Sequence, residues 1–154
     1  MPELGGGDPF LEVPLNALAK ARAVAEAGAL VIGCDTDVVI DGRALGKPAG
    51  AVRAREFLAT LSGRTHQVLS GLAVLGPGEE QERVGSCSSQ VTFRELGSEE
   101  VDRYIASGEW RDRAGGYAIQ GLGSTLVTAV EGDVSNVIGL PVGLLLELAP
   151  ELLY

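Results

Sequence analysis

The chain switches repeatedly between runs of strand-like apolar residues and segments of helical period, with turn residues at the joins. ALVIGC (29–34) is continuously apolar over a strand's length, which predicts a strand buried on both faces. DVVI-DG-RAL (37–45) predicts a hairpin, because Asp-Gly accepts the positive φ angles of a two-residue type I′ turn. HQVLSGLAVL (66–75) and RVGSCSSQVTF (83–93) are further extended runs, joined by a second hairpin candidate, GPGEEQ. YAIQGLGSTLVTAVEGD (117–133) reads as strand, turn and strand.

Helical segments lie between these runs. NALAKARAVAEAG (16–28) is Ala-rich, with Pro14 near its start and Gly28 as its stop. Residues 51–62 place Ala51, Ala54, Leu58 and Leu61 on one helical face, and Gly63 closes that helix. In SEEVDRYIASG (98–108), Ser98 is the expected cap, two glutamates favour the positive end, and Val101, Tyr104 and Ile105 form the apolar stripe. PVGLLLELAPELLY (141–154) opens with proline at a first helical position. With no internal repeat and no long linker, this predicts one α/β domain over 9–154 behind a Gly-rich, fraying segment at 1–8.

Composition narrows the partners. A chain of 154 residues, 45% apolar and 21% charged, can bury one core. Its net charge of −9 leaves no basic field for nucleic acid or an anionic membrane surface. A polyanionic ligand must therefore be held by local cations or a metal ion. Cys34 and Cys87 make neither a disulfide framework nor a zinc site and are expected as buried free thiols. The N-terminal residues lack a signal-peptide pattern, and the longest apolar run is too short for a bilayer, so a cytoplasmic setting is expected.

CDTDVVIDGRALGKP (34–48) is the densest chemical segment. Asp35 is expected at the end of a buried strand, where α/β sheets place ligand sites, and could bind a divalent ion or activate water. Equally, Asp35 could cap a turn and Asp37 be merely solvated. Lys47, in Gly-Lys-Pro after the hairpin, could offer a point charge to a phosphate; Lys20 is the only other lysine. Arg111, Arg113, Tyr117 and Gln120 form a second cluster around Gly115 and Gly116, and the Gln120 amide could read a uracil or thymine edge. That segment could also be a polar turn between core strands. His66 is expected packed or hydrogen-bonded rather than acting as a base, and GLPVG (139–143) as a helix start rather than a site. There is no P-loop pattern.

ALAKA, CDTDVVIDGRALGKP, LSGRTHQVLSG, VTFRELGSEEVDRYIASGEW, RAGGYAIQG and EGDVSNVIGLP, in that order, resemble the Maf family of nucleoside triphosphate pyrophosphatases, also called septum formation proteins. The resemblance spans nearly all of residues 9–149. It implies a Maf/ITPase-like mixed twisted sheet flanked by helices, with a cleft at the sheet end. It implies hydrolysis of a nucleoside triphosphate to monophosphate and pyrophosphate with Mg²⁺ or Mn²⁺, and a homodimer. Asp35 matches the family's catalytic proton acceptor and is taken as the metal-side carboxylate. Lys20 and Lys47 match two phosphate-side lysines, and Thr36 and Gln120 match positions tied to base choice. D-T with I-Q-G resembles the dTTP/UTP branch, with modified pyrimidine nucleotides as further substrates. The 7-methyl-GTP branch typically shows D-Q and an E-G variant instead.

The sequence departs from the family pattern in places. Family members open with a strand and an S-x-S-P-R-R phosphate loop, whereas this sequence opens MPELGGGDPF, so the first strand and loop are expected to be missing. Asp37 replaces a usually apolar residue, Ser70 a threonine, and Arg113 a common lysine. A catalytically impaired nucleotide-binding or interaction module, or a structural domain retaining the motifs, are the alternatives.

Overall fold

The computed structural model describes residues 7–78 and 81–153, so most of the expected fraying segment at 1–8 lies outside the described residues. The elements run α1 (Pro9–Ala23), β1 (Val31–Ile40), β2 (Arg43–Ala44), α2 (Ala51–Leu61), β3 (Thr65–Leu75), β4 (Glu82–Phe93), α3 (Ser98–Ser107), β5 (Val127–Glu131), α4 (Val134–Ile138) and α5 (Val142–Leu148). Short 3-10 segments occupy Ala114–Gly116, Gly121–Leu126 and Pro150–Leu153. The sheet order is β2-β1-β3-β4-β5, and every pairing is antiparallel. The architecture is α/β, with helices flanking a sheet.

Local chemistry explains the joins. Asp41 and Gly42 both take positive φ, 53° and 75°, which matches the right-handed twist of the flanking strands and sets Ile40 opposite Arg43. The β3–β4 ladder runs unbroken from Leu75↔Glu82 to Thr65↔Thr92. On one face of the sheet, Val38, Val68, Val91 and Phe93 pack beneath Ala54, Leu58 and Leu61 of α2 and Val101 and Tyr104 of α3. Each leucine buried there contributes about 1.5–3 kcal/mol, so packing rather than helix propensity holds α2. Further along that face, Leu72 and Val74 meet Leu145 and Ala149.

On the opposite face α1 lies close against β1 and β3. A Cβ at Gly33 would come within 2.3 Å of the Ala17 carbonyl oxygen, and one at Gly71 within 2.6 Å of Pro14 Cα. Only glycine fits under this helix. Val13, Ala17 and Ala21 complete the contact with Val39, Leu69, Ala73 and Leu75.

Several sequence expectations shift. α1 begins at Pro9, not after Pro14, because Asp8 accepts the Phe10 N–H at 3.0 Å and Pro9 takes the first turn. Pro14 therefore sits inside the helix, at the cost of the bond its missing N–H would make. The helix stops at Ala23, before Gly28. β1 continues through the polar triplet to Ile40, and Ile32 is 41% exposed rather than buried on both faces. Gly97, not Ser98, caps α3, and Pro141 caps α5 from outside. Ala51 is exposed, and Phe57 joins the α2 stripe in its place. The first strand expected in 117–133 is absent: that backbone forms an extended turn and a 3-10 segment before β5. Both cysteines are free but half-buried.

Candidate active site

The site is assembled along the edge of β1. Because β2 pairs only with Val39 and Ile40, no described strand covers β1 on that side from Val31 to Val38. Asp35 is the fifth residue of this ten-residue strand, not its end. The backbone stays extended through the polar triplet because β3 pairs with it, Asp35 opposite Gly71 and Thr36 opposite Ser70. Tertiary pairing outweighs the break in apolar pattern.

Alternation then sends neighbouring side chains to opposite faces. Asp35, 7% exposed, turns toward α1, where Lys20 Nζ donates to Oδ1 at 2.8 Å and Asn16 Nδ2 to Oδ2 at 3.3 Å. Asn16 and Lys20, four residues apart, share one helical face. Their bonds offset the cost of burying a carboxylate and fix its orientation. Thr36 turns the other way and shares a 2.7 Å hydrogen bond with the Ser70 hydroxyl. The Cys34 thiol donates to the Gly139 carbonyl at 3.3 Å; burial, above all, pushes its pKa up and keeps it a protonated donor.

A cavity of about 230 Å³ wraps this edge and takes walls from both faces. Lys20, Asp35, Thr36, Lys47 and Gln120 all line it. The volume lies below the ~300–1,000 Å³ of closed small-molecule pockets, so a nucleotide-sized ligand must extend beyond the mouth. Lys47, exposed after the hairpin, forms no salt bridge among the described residues. Its approach is set by Leu45 N–H donating to the Val38 carbonyl and Gly46 N–H to Asp37 Oδ1, each at 2.9 Å.

Gln120 comes from the loop over the far wall, and its neighbour Tyr117 anchors that loop. The Tyr117 hydroxyl lies 2.6 Å from His66 Nε2, and its ring meets Phe93 edge-on at 4.7 Å. Burial lowers the His66 pKa to about 4 and raises that of Tyr117, so both groups are neutral at pH 7. His66 is a packed, hydrogen-bonded residue, as its sequence context suggested.

All five singled-out residues meet at one cavity. Asn16 was not foreseen, although its spacing from Lys20 was the available signal. Gly139 and the short helix α4 also form part of the wall, where only a helix start was expected. The signal there was Asp133-x-Ser135, since Asp133 caps the Ser135 N–H at 2.8 Å.

The cavity gathers Lys20, Lys47 and Arg113 against Asp35 and Asp112. No group of three or more His, Cys, Asp or Glu side chains forms a metal cage among the described residues. A carboxylate or two with substrate phosphates is, however, how Mg²⁺ is usually bound, and this donor set fits a hard cation arriving with phosphates.

The family described as Maf-like protein matches residues 7–152. A dTTP/UTP pyrophosphatase from Moorella thermoacetica is 50% identical over 135 residues, covering 86% of this chain and 70% of that protein. One from Dictyoglomus thermophilum is 46% identical over 144 residues, covering 90% and 75%. One from Methylococcus capsulatus is 47% identical over 140 residues, covering 87% and 65%. The chain thus spans about two thirds to three quarters of these relatives' lengths. It belongs to the Maf-like protein family.

Proposed function

We propose that this chain is a metal-dependent nucleoside triphosphate pyrophosphatase that hydrolyses dTTP and UTP, and modified pyrimidine nucleotides, to monophosphate and pyrophosphate. The observation that carries the reading is the meeting of Asp35, Lys20, Lys47 and Gln120 at one cavity, in a chain whose relatives bear that activity's name. Water attacks the α-phosphorus, the bond to the α,β-bridging oxygen breaks, and pyrophosphate leaves. Asp35 accepts the water's proton, with Lys20 holding its carboxylate in place. Lys47 offsets phosphate charge at the mouth, and Lys20 does so from the α1 side. Asp35, together with substrate phosphates, would hold magnesium or manganese, which would supply Lewis-acid stabilisation of the developing charge. The Gln120 amide offers a donor and an acceptor to a pyrimidine edge, and Thr36 stands on the wall beside Asp35.

A homodimer and a cytoplasmic setting belong to the same proposal, the first open to sedimentation analysis. Among the described residues, no helix is long and apolar enough to cross a membrane. The decisive variant is Asp35→Asn, which keeps the shape and removes the base. It is expected to lower kcat on dTTP by roughly 10²–10⁴-fold. Undiminished turnover would remove the role given to Asp35. Calorimetric dTTP binding by the unaltered chain without pyrophosphate release would favour the impaired binding module instead.

A further inference from the structure

We propose that Asp37 is a positioning residue that clasps the phosphate side of the cleft to its base side. For its functional consequence this rests on the pyrophosphatase reading; its geometry does not. Asp37 does not line the cavity, yet its Oδ1 accepts two backbone N–H groups, from Val38 at 2.8 Å and from Gly46 at 2.9 Å. Where the two-residue ladder with β2 ends, this carboxylate takes the place of a strand partner on the β1 edge.

Gly46 is the node. Its amide is held by Asp37, its carbonyl accepts the Gly115 N–H at 2.9 Å, and the next residue is Lys47. Gly115 precedes by two residues Tyr117, which anchors the loop, and by five Gln120, which reaches the cavity. A Cβ on Gly115 would lie 2.8 Å from Val38 Cγ2, so this loop rests directly on β1. The chain Asp37–Gly46–Gly115 therefore fixes the spacing between the lysine that meets phosphate and the glutamine that meets base. Without the carboxylate, Gly46 keeps only the neighbouring Leu45 N–H to Val38 bond as its tie to β1, and the spacing of the two arms loosens.

The test compares Asp37→Ala with Asp37→Asn, whose amide oxygen can still accept. Amide hydrogen exchange at Gly46 and Gly115 is followed without nucleotide, and kcat and KM for dTTP with Mg²⁺ are measured separately. In Asp37→Ala both amides are expected to exchange faster, and KM to rise roughly tenfold with little change in kcat. Asp37→Asn is expected to restore slow exchange and the original KM. Unchanged exchange in Asp37→Ala, faster exchange at Gly46 alone, or an unchanged KM would each overturn the clasp. A fall in kcat and thermal midpoint with KM intact would also overturn it, as the mark of a purely structural residue. If the unaltered chain shows no turnover, the pyrophosphatase reading fails, while exchange and calorimetric dTTP affinity still decide the clasp. Asp37→Ser, too short to reach Gly46, replaces Asp37→Ala should that variant not fold.

Discussion

His66 sits at 2% exposure, edge-on to Phe93 and Tyr117, with only Nε2 engaged, by the Tyr117 hydroxyl. Burial holds its folded pKa at about 4, below the ordinary 6.5. The unfolded chain therefore takes up a proton between pH 6.5 and 4 that the folded chain refuses. Stability from this residue is complete above pH 6.5 and is lost as the pH falls toward 4, a total of about 3 kcal/mol. Urea unfolding at pH 7 and pH 4.5 should show His66→Phe losing less stability on acidification than the unaltered protein. Equal losses would mean that carboxylates elsewhere account for the whole acid limb. Because Tyr117 anchors the loop that carries Gln120, the same protonation should loosen the cleft.

At the scale of elements, the contact that matters most is α1 on β1 and β3, since it brings Lys20 and Asn16 to Asp35. Gly71 is the cross-strand partner of Asp35 and touches the Pro14 backbone, so Gly71→Ala must lift the helix. Overpacking of this kind costs typically about 1–3 kcal/mol, and here it also parts Lys20 from the carboxylate. A lower urea midpoint and a lower kcat on dTTP are expected together. A fully stable Gly71→Ala variant would show that the helix can absorb a methyl group. The sequence announces those elements whose cause is local. The Asp41–Gly42 hairpin, Gly63 after α2 and Gly108 after α3 carry their own turn chemistry. What it hides is tertiary. β1 outruns its apolar pattern because β3 pairs with its polar residues. The β-prone stretch from Tyr117 to Ile119 is not a strand, because Tyr117 is pulled under the loop by His66 and Phe93. The five-residue α4 lacks a legible period and is held by Asn136, whose amide donates to Val68 and Cys87 carbonyls and the Ser89 hydroxyl. Motif resemblance singled out five residues that the fold brings to one cavity, whereas the faint signals for Asn16 and for the α4 wall at Gly139 gained meaning only once α1 and α4 were packed.

For the whole molecule the question is how a chain of net charge −9 would bind the polyanion proposed as its substrate. Among the described residues, three cations of the cavity wall stand against two carboxylates, and Lys20 is already engaged by Asp35. That local excess is too small to neutralise a free triphosphate, so on the proposed function a divalent ion would arrive with it. No cage of acidic side chains is present among the described residues, and on the same proposal the phosphates would supply most of the ion's oxygen ligands. Binding should therefore be cooperative: Mg²⁺ alone leaves the thermal midpoint nearly unchanged, dTTP with chelator raises it slightly, and the two together raise it clearly. At a hundredfold excess over Kd the joint stabilisation is about 2.7 kcal/mol. Lys47→Ala should shrink the joint shift while leaving the midpoint of the unliganded protein intact, because Lys47 is exposed and forms no salt bridge among the described residues. A large shift with Mg²⁺ alone would mean that the protein builds its own metal site. In that case the phosphates are not what completes the coordination, and the charge balance of the cleft has to be redrawn around the ion.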